Sequence, residues 1–356
     1  MNPISRPLLL LQNGSFYTMD AASPRTSAVA VDRISGRIFA VGSTSEVRSL
    51  AGPLTETLDL RGRTVLPGFI DAHTHLLGYA RARLDVDLTG TRSEADAVER
   101  VRRSAAAVPA GQWVRGRHWD VSLWPGAPFP TRASLDAAVP DHPVALWNYD
   151  FHSLWVNSAA LRRAGIDSTT PDPVNGAIAR EADGQPSGML FESGAMRLVE
   201  STYDPPDAAT DLVLLRGALA ELRARGITAI HNIEDAYCLR LLEHLRDAGE
   251  LAPRVLYYLP KDALSALFEV GFQSGFGDDA LRLGGIKVFA DGALSSQTAA
   301  LFEPFEGQAE NRGLLTTSAD EMERLAAAAV DGEIGVAIHA IGDRAVHVAL
   351  DAIERG

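Results

Sequence analysis

Cysteine is almost absent: 356 residues hold one, Cys238. An intramolecular disulfide framework is therefore excluded, and such usage fits a reducing compartment. Long apolar runs are missing as well. The four leucines Leu8 to Leu11 meet Gln12, Asn13 and Gly14 at once. That run is too short for a membrane span or a signal-peptide core. Positive charge is in the minority, with 33 lysines and arginines against 46 aspartates and glutamates and a formal net charge of -13. This balance disfavours nucleic acid and anionic membrane as partners. No internal repeat or low-complexity stretch stands out. The expectation is a cytoplasmic, enzyme-like protein with one large domain and a smaller one, or two domains.

The most informative segment is Val65 to His75, V-L-P-G-F-I-D-A-H-T-H. An apolar run (Val65, Leu66, Phe69, Ile70) leads into two histidines spaced i and i+2. On a strand, His73 and His75 point to the same side. Two imidazoles converging from one strand end make half of a metal site.

Upstream, short strands are predicted at Leu8 to Leu11, Ser15 to Thr18, Ser27 to Val31, Arg37 to Val41 and Thr55 to Leu60, with Asn-Gly and Ser-Gly turn signals between them. Ser43-Thr44 caps a short helix running to about Leu50. Downstream, apolar β-branched runs recur at Gly226 to His231, Arg254 to Leu259, Gly285 to Ala290 and Gly335 to Ala340. Segments with helical periodicity lie between them (Tyr237 to Ala248, Lys261 to Val270, Ala319 to Val330). This alternation predicts an α/β fold with a parallel sheet and crossover helices. A long insertion, roughly Leu84 to Arg225, lies between the H-T-H segment and the Gly226 to His231 run and contains all five tryptophans. Helices are expected in it at Glu94 to Ala107 and Ala208 to Arg225, with a buried strand at Pro143 to Trp147. The tryptophans read either as a packed subdomain core or as an apolar substrate lid.

Lys287 sits inside the apolar run G-G-I-K-V-F-A-D-G-A. Burying an unpaired ammonium is costly, and burial lowers its pKa. A neutral amine can react with carbon dioxide to give a carbamate, an anionic two-oxygen ligand able to bridge two metals. Alternatively, the lysine snorkels to the end of the strand or pairs with Asp291. His118, His142, His244 and His347 carry no motif.

The P-G-x-I-D-x-H-x-H pattern resembles that of the amidohydrolase superfamily. The whole chain resembles its amidohydrolase-3 group, the YtcJ-like and N-substituted formamide deformylase-like proteins. The matching pieces are N-G-S-F-Y-T-M-D, the H-T-H strand, N-Y-D-F-H-S-L-W-V-N-S, G-Q-P-S-G-M-L, I-K-V-F-A-D-G-A-L-S-S-Q-T-A and H-A-I-G-D-R-A, in that order. This resemblance implies a (β/α)8 TIM-barrel-type metal-dependent hydrolase with a small N-terminal β-sandwich, here residues 1–62, and a barrel from residue 63 carrying the insertion at 84–225. It implies metal ligands at His73, His75, Lys287 as a carbamate, and His339. The cofactor would be one or two divalent ions, zinc by expectation, and the substrate a small amide or formamide. Asp71, His152, His231, Asp291 and Asp343 would contact substrate or support the ligands, and Glu192 is a weaker candidate of that kind. Asp343 equally suits a helix cap. A homodimer is left open.

In that family three more strands follow the fifth. The sixth supplies another histidine, the eighth an aspartate acting as general base, and the tail completes the sandwich. Here the chain stops at Gly356, one helix past the fifth strand. The expectation is a C-terminally truncated sequence without its general base. The alternatives are an inactive fragment of such an enzyme and a deaminase on the same scaffold, against which Lys287 argues.

Overall fold

The computed structural model describes residues 6–124, 126, 129–204, 207–294 and 296–356. The chain divides into two compact units, Met1–Phe69 and Ile70–Gly356. Among the described residues no helix is long and apolar enough to cross a membrane.

The first unit holds two small sheets. One has the order Ile38–Gly42, Ala28–Asp32, Leu8–Gln12, Glu56–Asp59. The other runs Arg25–Thr26, Ser15–Tyr17, Thr64–Val65. Alternation places Leu8 and Leu10 inward, where they pack with Ala28, Ala30 and Val47. The helix Thr44–Arg48 opens in a capping box. The Ser43 hydroxyl accepts from the Glu46 amide, and the Glu46 carboxylate accepts from the Ser43 amide.

The second unit is built on a five-stranded sheet, whose strands are β1 (Phe69–Thr74), β2 (Ile227–Ile233), β3 (Arg254–Pro260), β4 (Leu281–Phe289) and β5 (Gly335–His339). They lie side by side in chain order, and β2 to β5 pair parallel. Helices Ala236–Asp247, Leu264–Glu269 and Ala319–Asp331 make the crossovers, and Asp343–Arg355 follows β5. Ile230, Val255, Tyr257, Ile286 and Val288 of the strands bury against Leu241, Leu242 and Leu245 of the first crossover helix and its neighbours. The sheet is open, with β1 and β5 as its edges. On β1, Phe69 and Ile70 are 58% and 59% exposed.

The apolar run before the histidines is not one strand. Val65 closes a strand that pairs with Ser15–Tyr17, and β1 starts afresh at Phe69. Pro67 has no N–H to offer a ladder, and Pro67-Gly68 breaks the run.

Between β1 and β2 the insertion forms a sheet of its own. Its order is Ala177–Arg180, Pro186–Phe191, Ser153–Val156, Val144–Asn148, Val114–Trp119, Val86–Asp87. Only Val144–Asn148 corresponds to a strand read from the sequence. Trp119, Trp124 and Trp155 pack together at its centre, with ring centroids 5.7 to 6.2 Å apart. Each indole N–H reaches a carbonyl: Leu146 at 2.8 Å, Thr91 at 3.0 Å and Thr131 at 2.9 Å. These three are core. Trp113 and Trp147 are half-buried.

Candidate metal centre

β1 ends at Thr74, and His75 takes the position before the helix Leu76–Ala82. The rings of His73 and His75 lie edge to face, 5.2 Å between centroids. Asp71 accepts from the His73 amide at 3.1 Å and so fixes the backbone beneath the first histidine. His75 Nδ1 lies 2.7 Å from the Ile233 carbonyl of β2. A proton on Nδ1 leaves Nε2 with its lone pair, the arrangement that metal-ligating histidines use.

The short helix after His75 has no side-chain cap of its own. Its free amides are taken by β2 instead. Asn232 Oδ1 accepts from Leu76 N at 2.8 Å, and Glu234 accepts from Leu77 N and Gly78 N at 2.9 and 2.7 Å. Glu234 also accepts from the buried Cys238 thiol at 3.0 Å. Burial, then the Glu234 charge, pushes that thiol far above its ordinary range. The end of β2 thus sets the end of β1. These two residues were not foreseen, because the partners lie more than 150 positions apart.

Lys287, two residues before the end of β4, is 6% exposed. Among the described residues it has no hydrogen-bonding or ion-pair partner, and its nearest aromatic face is Phe289, 5.3 Å from Nζ. Desolvation lowers its pKa. The same ammonium bears on His73, whose pKa is lowered by burial first, then by Lys287, His75 and His339. His339 is lowered by burial first, against the opposing pull of Gly292 and Asp291. Its Nε2 lies 3.0 Å from the Gly292 carbonyl, which leaves Nδ1. The Phe289 ring bridges Lys287 and His339, 5.2 Å from the latter.

Asp291 is 1% exposed and works on the backbone. It accepts from the amides of Ala300, Ile341 and Gly342 at 2.8, 3.0 and 2.7 Å, tying the segment after β4 to the turn after β5. Its nearest approach to His339 Nε2 is 3.8 Å. Asp343 accepts from Phe302 N and Arg344 N at the start of the last helix. His152 enters from the inserted sheet, its ring 5.9 Å from that of His339. His231 stands on β2 with its ring 6.1 Å from Tyr258. A cleft of about 420 Å³ begins at Leu77 and Gly78, just past His75, and is walled by Arg117, Trp147, Glu234 and Tyr237.

Among the described residues no three His, Cys, Asp or Glu side chains enclose a point close enough to coordinate an ion. The donor chemistry nonetheless fits a cation. His75 and His339 are each anchored through one ring nitrogen, the His73 ring stands 5.2 Å from that of His75, and a buried amine lacks a partner among the described residues.

The amidohydrolase family model matches residues 56–356. The chain belongs to the amidohydrolase family. This amidohydrolase-family chain is 31% identical over 96% of its length to the YtcJ protein of Bacillus subtilis. It is 33% identical over 97% of its length to an N-substituted formamide deformylase of Arthrobacter pascens. It spans 65% of the length of each of these two relatives. Its fold matches the crystal structure of an uncharacterised metal-dependent hydrolase from Pyrococcus horikoshii, with a TM-score of 0.74 and 26% identity over 98% of this chain and 68% of that one.

Proposed function

We propose that this chain serves a metal-dependent hydrolase that cleaves a carbon–nitrogen bond, amide or N-formyl, in a small molecule. The carrying observation is Lys287, a buried amine with no hydrogen-bonding or ion-pair partner among the described residues, held within electrostatic reach of His73 and His339. An amine so placed is costly unless a ligand or a modification compensates it. His73, His75, His339 and Lys287 as its carbamate would hold one or two divalent ions, zinc by preference. When bound, such an ion supplies Lewis acidity toward a carbonyl oxygen and toward water. The chain's own groups do the rest. Ile233 and Gly292 carbonyls orient two of the imidazoles. His152 and His231 contact the substrate. Trp147 offers an apolar wall for the group on nitrogen. The formamide deformylase relative and the metal-dependent neighbour support this reading.

The test is formate release from a panel of N-alkyl and N-aryl formamides by the zinc-loaded chain in bicarbonate buffer. Turnover should vanish with chelator, return with zinc, and be absent in Lys287→Met. Turnover that survives both chelation and Lys287→Met, or no release above the uncatalysed rate, rejects the proposal.

A further inference from the structure

We infer that Glu192 is a positioning residue for His152: its carboxylate accepts a hydrogen bond from Nδ1–H and leaves Nε2 free to act beside His339. The inference rests on the proposed site only in giving His152 a task there.

The pair is built by strand register. Ser153 lies opposite Phe191 in the antiparallel ladder, so the flanking His152 and Glu192 fall together. The Glu192 amide already donates to the His152 carbonyl at 2.9 Å. Backbone pairing at this corner therefore needs nothing from the Glu192 side chain. That side chain nonetheless turns onto the ring, with His152 Nδ1 at 3.0 and 3.3 Å from the two carboxylate oxygens. Among the described residues His152 is its sole hydrogen-bonding partner, and Nε2 of His152 has none.

Two costs are accepted to keep this arrangement. Glu192 is 5% exposed, and a buried carboxylate is unfavourable unless paired. It also holds φ +60°, a left-handed conformation rare for a residue with a Cβ. Strain and burial at one residue, with no gain for the ladder, point to a function for the side chain.

Gly292 links the pair to the rest of the centre. A Cβ there would lie 2.7 Å from Glu192 Oε1 and 2.1 Å from Thr298 Oγ1. The same glycine's carbonyl receives His339 Nε2. One small residue thus seats the carboxylate of the inserted sheet and the imidazole of β5 together. The carboxylate–imidazole relation fixes which ring nitrogen carries the proton, as such partners do for working histidines.

The tautomer is read directly by ¹⁵N NMR of histidine-labelled chain, with the His152 signals assigned by their loss in His152→Gln. Wild type should show protonated Nδ1. Glu192→Ala should shift the ring toward the Nε2–H form, whereas Glu192→Gln, which keeps an acceptor oxygen, should retain Nδ1–H. On a formamide turned over by the zinc-loaded chain, Glu192→Ala should lower kcat roughly 10–100-fold with KM little changed, and the Gln variant should recover most of that loss. Combined with His152→Gln, Glu192→Ala should cost nothing further. An unchanged tautomer in Glu192→Ala, or a double variant clearly worse than His152→Gln alone, overturns the inference. If no formamide is turned over, the proposed function fails while the tautomer result still decides this pair.

Discussion

The inserted sheet and the five-stranded sheet treat their polar groups in opposite ways. In the inserted sheet three large indoles are buried, and each N–H ends on a carbonyl. In the five-stranded sheet Lys287 is buried with no such compensation among the described residues, and His73 stands on an exposed edge strand with His75 just past its end. Buried polar groups are normally satisfied, so the first pattern marks packing and the second is what the proposed ligand site requires. The tryptophans looked like a substrate lid or a core. Trp119, Trp124 and Trp155 belong to the core, and Trp147 alone lines the cleft near His75.

Mutations can sharpen this contrast. Trp155→Ala should be the most damaging, at about 3–5 kcal/mol, because it empties the centre of a packed cluster. Urea unfolding would measure it, and a loss below about 1 kcal/mol would remove the distinction between the two sheets. Asp291→Ala should follow, at about 3 kcal/mol, since three backbone amides lose a charged acceptor. Lys287→Met should have the opposite sign. Without metal it should stabilise the chain by about 1–2 kcal/mol, because an unpaired amine is replaced by an apolar side chain of similar length. In the same variant, zinc binding followed by calorimetry should fall steeply.

Smaller effects come from pH. For His152, burial pulls the pKa down, but the hydrogen bond and charge of Glu192 outweigh it and the folded value is raised. Its contribution to stability is therefore complete below the ordinary imidazole value of about 6.5 and is lost as pH rises through the folded value. Glu192→Gln should flatten that part of the stability profile. His339 runs the other way. Its folded value is depressed, so its contribution is present above about 6.5 and lost as pH falls through the folded value. Thermal melts of the metal-free chain between pH 5 and 8 would separate the two slopes through the Glu192→Gln and His339→Gln variants.

Much of this was legible in the chain. The strands β2 to β5 announce themselves as short apolar runs rich in β-branched residues, with amphipathic helices between them. The H-x-H pair and the lysine inside an apolar run signal their chemistry by residue type alone. The inserted sheet was mostly illegible. Pro186–Phe191 has no β-branched residue, and Val86–Asp87 is two residues long, so neither carries a strand signature. The roles of Asp291, Asn232 and Glu234 were equally hidden. Each serves backbone amides, which all residues but proline share, and most of those amides lie tens to more than a hundred positions away. Glu192 was visible only as a residue following a recognisable loop. Its worth depends on a register between two strands that the sequence does not advertise.

X-ray absorption at the zinc edge of the chain loaded with one equivalent of zinc tests the central claim most directly. The account predicts a nitrogen and oxygen shell near 2.0–2.1 Å with outer scattering from two or three imidazoles. That scattering should weaken in His73→Ala and in His339→Ala. A shell of oxygen alone, or a spectrum unchanged by both substitutions, would contradict it.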